Sequence, residues 1–311
     1  KAPNAVKRQA NEIGLSVGLS FPRFLLPFRL STRKVNMPRT KVELSFNYQD
    51  RPYYRRDLSR ATWTYSWRSV NGRYNYQIRP IDLNWINVGY LDESFFNSLR
   101  NEYLRQSYQT QAIVGLSASY VYNNQNKNIN GNATLMRINF ESAGNLLNLF
   151  ERAFSHKVEG GYYNILGVRY SQYVRSDISI SRKIVLGEKT ALAGRIFAGC
   201  GVPYGNSSAL PFDRLFYVGG SNSMRGWVAR TLGPGNAVVE DTPYPVQMGD
   251  MRLEANLEFR FPIWGMFHGA TFLDLGNVWY LGMDKTQLPA ESIFHFNRFY
   301  KQLGFNTGFG L

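Results

Sequence analysis

The sequence predicts an all-β fold, a transmembrane antiparallel β-barrel, and three observations carry that expectation. Long segments alternate apolar and polar side chains residue by residue, the period of a strand with its two faces in different environments. Their polar faces carry too many charges for a packed soluble core. Met251 to Phe261 sets Met251, Leu253, Ala255, Leu257, Phe259 and Phe261 against Arg252, Glu254, Asn256, Glu258 and Arg260. Composition is the third observation: aromatic residues make up 15% and charged residues 19%, and the mean hydropathy is −0.33. No apolar run approaches the roughly 18 residues of a membrane helix, whereas a barrel strand faces a polar lumen with half its side chains and so dilutes its own hydropathy. The length of 311 residues fits one large all-β unit or two ordinary domains and does not decide between them.

In chain order, residues 12–21 alternate Ile13, Leu15, Val17, Leu19 and Phe21 with small polar residues suited to a crowded interior. A Pro-flanked basic connection leads to residues 41–49, with Val42, Leu44, Phe46 and Tyr48 on the apolar face. Ala61, Trp63, Tyr65 and Trp67 mark a third strand, and Asn71-Gly72 reads as a tight hairpin turn. The next strand keeps its phase until Pro80, where it slips by one residue, as a β-bulge would cause. Residues 91–106 break the period. Asp92 or Ser94 is the candidate cap of a short helix carrying Phe95, Leu99 and Tyr103.

Alternation resumes over Gln111–Asn123 and again over residues 133–141, separated by the turn NNQNKNING. A helical stretch around AGNLLNLFERAF precedes a strand expected from about Leu166 to Ile180, then one from Thr190 to Val202. Beyond Phe261 come Thr271–Tyr280 and Lys301–Leu311. About eleven strands of nine residues or more fit a tilted membrane crossing better than the 5 to 6 residues usual in soluble sheets. Short and long connections alternate, except that residues 23–40 are long where a short turn is expected. The opening KAPNAVKRQ is no signal peptide, and the last strand ends at Leu311 without a closing partner. An open edge is not tolerated in lipid, so the chain is expected to be part of a larger barrel.

The net charge of +14 admits nucleic acid, an anionic lipid surface or an acidic substrate. The 36 Lys and Arg residues are dispersed through strands and turns, which argues against nucleic acid. Cys200 stands alone, so no disulfide framework forms, and its apolar neighbours Ile196, Ala198 and Val202 make it a small hydrophobe. His156, His268 and His295 lack metal-ligand spacing. GGSNS at residues 219–223 fits neither a nucleophile elbow nor a phosphate loop. Carboxylates such as Glu254 and Glu258 fall on polar faces through alternation alone. No catalytic residue, metal or cofactor is expected, and the chain reads as no enzyme.

One stretch stands apart. FYVGGSNSMRGWVARTLGP, from Phe216 to Pro234, sets Gly219, Gly220, Gly226 and Gly233 around Arg225. Glycine permits positive φ and close approach, so the segment can fold back into a confined space with Arg225 at its tip. The plainer alternative is a surface loop with a solvated arginine.

Here the sequence resembles the BamA/TamA superfamily of outer-membrane assembly and translocation barrels. The matching residues are Gly219-Gly220, Ser223-Met224-Arg225-Gly226-Trp227, Leu232-Gly233-Pro234, Leu257-Glu258-Phe259 and Phe272 to Trp279, in the family's order. The wording of Asn145-Leu146-Leu147 and Ser221-Asn222-Ser223 looks most like TamL-type members of Bacteroidota. The resemblance implies that residues 1–311 are part of a C-terminal barrel of about sixteen strands, without its seam strands or its N-terminal POTRA domains. It implies that residues 204–247 form an extracellular loop folded into the lumen, where Arg225 contacts Glu258 and Asp274. Trp227 replaces the family's usual Phe or Tyr, keeping the ring and adding a donor. The plainer alternative pairs both acids with Arg252 or Arg260.

The implied place is the outer membrane of a Gram-negative bacterium. The implied partners are outer-membrane client proteins, the lipid bilayer with its lipopolysaccharide, and periplasmic or inner-membrane accessory proteins. The rival readings are a two-partner-secretion transporter, a passive porin, and a soluble β-sandwich or lectin-like module.

Overall fold

A computed structural model describes residues 10–26, 36–98, 105, 108–125, 131–154, 161–237, 247–281 and 288–311. In chain order its elements are β1 (Asn11–Phe21), β2 (Asn36–Asp50), β3 (Tyr54–Arg68), β4 (Tyr74–Leu91), α1 (Glu93–Ser98), β5 (Gln111–Asn123), β6 (Ala133–Ala143) and α2 (Asn145–Phe154). There follow β7 (Asn164–Ile165), β8 (Val168–Arg169), β9 (Tyr173–Gly187), β10 (Thr190–Pro203), β11 (Met251–Trp264), β12 (Phe267–Trp279) and β13 (Gly304–Gly310). Eleven of these strands form one antiparallel sheet in sequence order, with β7 and β8 a separate hairpin. β1 pairs only with β2, and β13 only with β12, so the sheet is open.

The two faces are inverted relative to a soluble sheet. Ile13, Leu15, Val17 and Leu19 are all more than 60% exposed, and Leu44, Phe46, Ile81, Leu83, Ile196 and Leu257 are also exposed across the sheet. Asp82, Asp177, Glu254 and Asp274 are buried on the opposite face. Apolar side chains turned outward and charges turned inward make this sheet the wall of a transmembrane β-barrel. Among the described residues no helix is long and apolar enough to cross a membrane.

The phase slip at Pro80 is a bulge. Ile78 and Ile81, three residues apart, oppose Tyr65 and Trp63, two apart, and Arg79 and Asp82 likewise oppose Ser117 and Gly115. The extra residue keeps Ile81 and Leu83 on the apolar face. Asn71-Gly72 lies in a hairpin loop, with Gly72 at φ 69° and Ser69 N–H donating to Tyr74 O at 2.9 Å. Asp92, not Ser94, caps α1: its Oδ1 accepts from Phe95 N at 2.9 Å and from the Ser94 hydroxyl. These bonds hold the Asp92 carboxyl below the usual range. Leu99 and Tyr103 lie outside the described residues.

Two strands start several residues later than expected, whereas β2 and β12 start earlier, at Asn36 and Phe267. The strand expected from Leu166 begins at Tyr173 and runs to Gly187. Leu166 and Gly167 have φ 48° and 79°, which no strand accommodates, and they form the turn of the β7–β8 hairpin. The last strand begins at Gly304 because Phe299–Gln302 form a 3-10 turn. The apolar core lies on the polar side of the sheet, at the loop-bearing rim. Ile86, Ile113 and Tyr173 from the strand ends pack there with Phe95, Tyr108, Leu210, Phe212, Leu215 and Met248.

Candidate functional site

The connection from β10 to β11 carries the Arg225 stretch, and two backbone bonds pinch it closed. Phe216 N donates to Gly249 O at 2.8 Å, and Gly249 N to Phe216 O at 2.9 Å. Inside that neck, Gly219 and Gly220 adopt φ 102° and 96°. Ser223 N then donates to Gly220 O, and Gly220 N to Trp227 O, closing a compact turn with Arg225 near its tip. A Cβ on Gly219 would meet Val228 O at 2.3 Å, and one on Gly233 would meet Asn277 Oδ1 at 2.4 Å. One on Gly226 would come within 2.8 Å of Asn306 Cβ. These glycines let the loop lie directly on the wall, and Pro234 follows Gly233 at the point where Gly235 N joins Val278 O at 2.8 Å.

Arg225 meets both acids named from the sequence. Its Nε and a terminal nitrogen donate to Asp274 at 2.9 and 2.8 Å, and its backbone N–H donates to the same carboxylate at 3.0 Å. The other terminal nitrogen donates to Glu258. The guanidinium carbon lies 3.6 Å from the centroid of the Phe272 ring, a cation-π contact beneath the fork. Arg260 Nε donates to Glu258 at 2.7 Å, so Glu258 bridges two arginines, while Arg252 pairs with Glu254. Trp227 is about a third exposed, and its indole N–H has no acceptor among the described residues.

Two contributors carried no signal of their own in the sequence. Asn256 and Asn306 stand directly opposite Asp274 on the two flanking strands and donate to it at 2.9 and 3.2 Å. Their Oδ1 atoms are buried without a donor. The Ser223 hydroxyl donates to buried Glu254 at 2.7 Å, and Arg195 and Arg252 hold the same carboxylate. Further along the loop, Arg214 donates to Glu141 at 2.7 Å and Arg56 of β3 forms a two-bonded pair with Asp213 at 2.9 and 3.1 Å. Burial works against the Arg214 charge, but Tyr173 and Glu141 outweigh it and raise its proton affinity. The loop is therefore tied to β3, β6, β11 and β12 by charged groups.

The Omp85 superfamily domain matches residues 4–311. The chain belongs to the Omp85 superfamily. Its place is accordingly the outer membrane of a Gram-negative bacterium. Among solved structures, CdiB from Escherichia coli is similar over 85% of this chain, with 13% identity and a TM-score of 0.47. The chain spans 42% of the length of CdiB. No curated protein matches. For this Omp85 chain, among the described residues, no group of His, Cys, Asp and Glu fits a metal ion.

Proposed function

We propose that this chain is part of a non-enzymatic outer-membrane factor that inserts or translocates other proteins, with the loop carrying Arg225 bracing the barrel wall. The observation that carries the reading is the three-way contact of Arg225 with Asp274 and Glu258 inside a chain that matches the Omp85 domain over nearly its whole length. A planar guanidinium bonded in two directions fixes a long loop in one register, whereas a freely mobile loop needs no such partner. The brace leaves the barrel wall stiff around β11 and β12 and leaves strand pairing elsewhere as the route for client strands.

The same proposal takes residues 204–247 as extracellular and folded into the lumen, POTRA domains as the N-terminal part of the full protein, and a TamL-like subgroup as the one the chain falls in. Client proteins of the outer membrane and periplasmic or inner-membrane accessory proteins are the partners it requires.

The test is quantitative proteomics of the outer membrane after depletion of the full-length protein, with Arg225→Glu as a companion strain. A broad fall in other barrels or surface lipoproteins, partly recovered by adding Asp274→Arg, is the expected result. An unchanged membrane proteome with secretion or uptake of one substrate lost would replace the assembly reading with a dedicated transporter or channel.

A further inference from the structure

Trp279, at the loop-side end of β12, should face lipid and does not. Register puts it directly opposite Met251, which stands opposite Cys200, and Cys200 is exposed on the apolar face. Residues directly opposite in a sheet share a face, so the Trp279 ring projects from the outer side of the wall, yet it is fully buried. What covers it is the segment between β12 and β13. Phe294 and Phe299 stack edge-on to the indole at 5.5 and 6.4 Å, and the indole N–H donates to Gln302 Oε1 at 2.7 Å. Residues 294–302 are thus folded over the lipid-facing surface and not into the barrel.

That segment presents two kinds of side chain to its surroundings. Phe296 is 83% exposed and packs one side against Phe299, and Tyr300 flanks the same ring. Arg298 and Lys301 are exposed between these aromatics, and neither has an acidic partner among the described residues. Trp264 and Phe267 are exposed at the opposite end of the same strand pair. The twelve-residue rise from Phe267 to Trp279, at about 3.3 Å each and a tilt near 40°, spans roughly 30 Å. That is one hydrocarbon thickness, which sets the 294–301 cluster at a membrane interface where aromatic rings are favoured.

We propose that residues 294–301 form a docking site for a lipid with a phosphorylated headgroup. Phe296 and Tyr300 enter the acyl boundary, and Arg298 and Lys301 bind the phosphate, Arg298 through its planar fork. The occupant is a lipid and not a soluble anion because the site is continuous with the lipid-facing wall. The inference rests on the transmembrane reading of the sheet and is independent of what the barrel transports.

The test uses the full-length protein reconstituted in phosphatidylcholine vesicles, with or without phosphatidic acid. In a Cys200→Ser background, a nitroxide attached at Phe296→Cys should be shielded from an aqueous nickel chelate and open to oxygen, unlike one at Val70→Cys in an exposed turn. Association of spin-labelled phosphatidic acid should fall about fivefold for each of Arg298→Gln and Lys301→Gln, with inorganic phosphate a poor competitor. Nickel accessibility at position 296 equal to that at position 70, an unchanged association in both Gln variants, or full displacement by inorganic phosphate would each overturn the proposal.

Discussion

At the scale of single residues, the two acids held by Arg225 are not equivalent. Asp274 has no exposed side-chain surface and is surrounded by Arg225, Asn256 and Asn306, whereas Glu258 is a fifth exposed and keeps Arg260 when Arg225 is gone. Removing one partner of a buried pair leaves a desolvated charge behind and costs about 3 kcal/mol, while a wet pair is worth about 1 kcal/mol or less. Arg225→Ala should therefore destabilise the folded barrel about three times as much as Glu258→Gln, measured by urea unfolding in detergent. Equal losses would mean that Asp274 is well solvated. Arg225→Lys should resemble Arg225→Ala, because an ammonium cannot bond Asp274 through two parallel donors and reach Glu258 as well. The three charged residues were legible in the sequence through their motif. Asn256 and Asn306 were not, because any polar-face asparagine reads alike until register sets it opposite a particular carboxylate.

For individual elements, face and phase matter more than exact length. Pro80 adds one residue to β4 without disturbing which side chains face lipid, since Ile78 and Ile81 both pair with outward-facing residues on either side of the bulge. Deleting Pro80 should leave the two faces in phase and still yield folded barrel. Inserting an alanine after Asn84 should not, because it turns Trp85 inward and moves Ile86 out of the rim cluster. The fraction migrating as folded, unheated protein on a gel measures both variants. Similar yields would show that the sheet absorbs an extra residue anywhere. The slip at Pro80 was visible in sequence because proline and a phase change coincide there. The late start of β9 was not, because residues 166–172 keep enough apolar character to pass as strand while two successive positive φ angles turn the chain away.

On the scale of the whole molecule, the loop between β10 and β11 and the strands depend on each other. Phe212, Leu215 and Met248 from the loop complete an apolar core with Ile86, Ile113 and Tyr173 from strand ends, and ion pairs reach from Arg56 to Asp274. Each large apolar side chain so buried contributes about 1.5–3 kcal/mol. Replacing residues 206–248 by a short linker should keep the eleven strands, lower the unfolding midpoint, and raise single-molecule conductance in planar bilayers of the full-length protein. Unaltered conductance would mean that the loop does not obstruct the interior.

The sequence by itself determined the eleven strands of the main sheet, their lipid-facing and polar faces, the bulge, and the loop with its arginine. Each of these is written in a local period of two residues or in a short glycine-rich motif, and the pleated backbone converts that period directly into geometry. Only the tertiary structure decided which side chains surround Asp274, which strands the loop ties together, and that residues 294–302 fold over the outside of the wall. Those outcomes depend on the register between segments far apart in the chain and on a 3-10 turn that covers Trp279, and no local pattern encodes either.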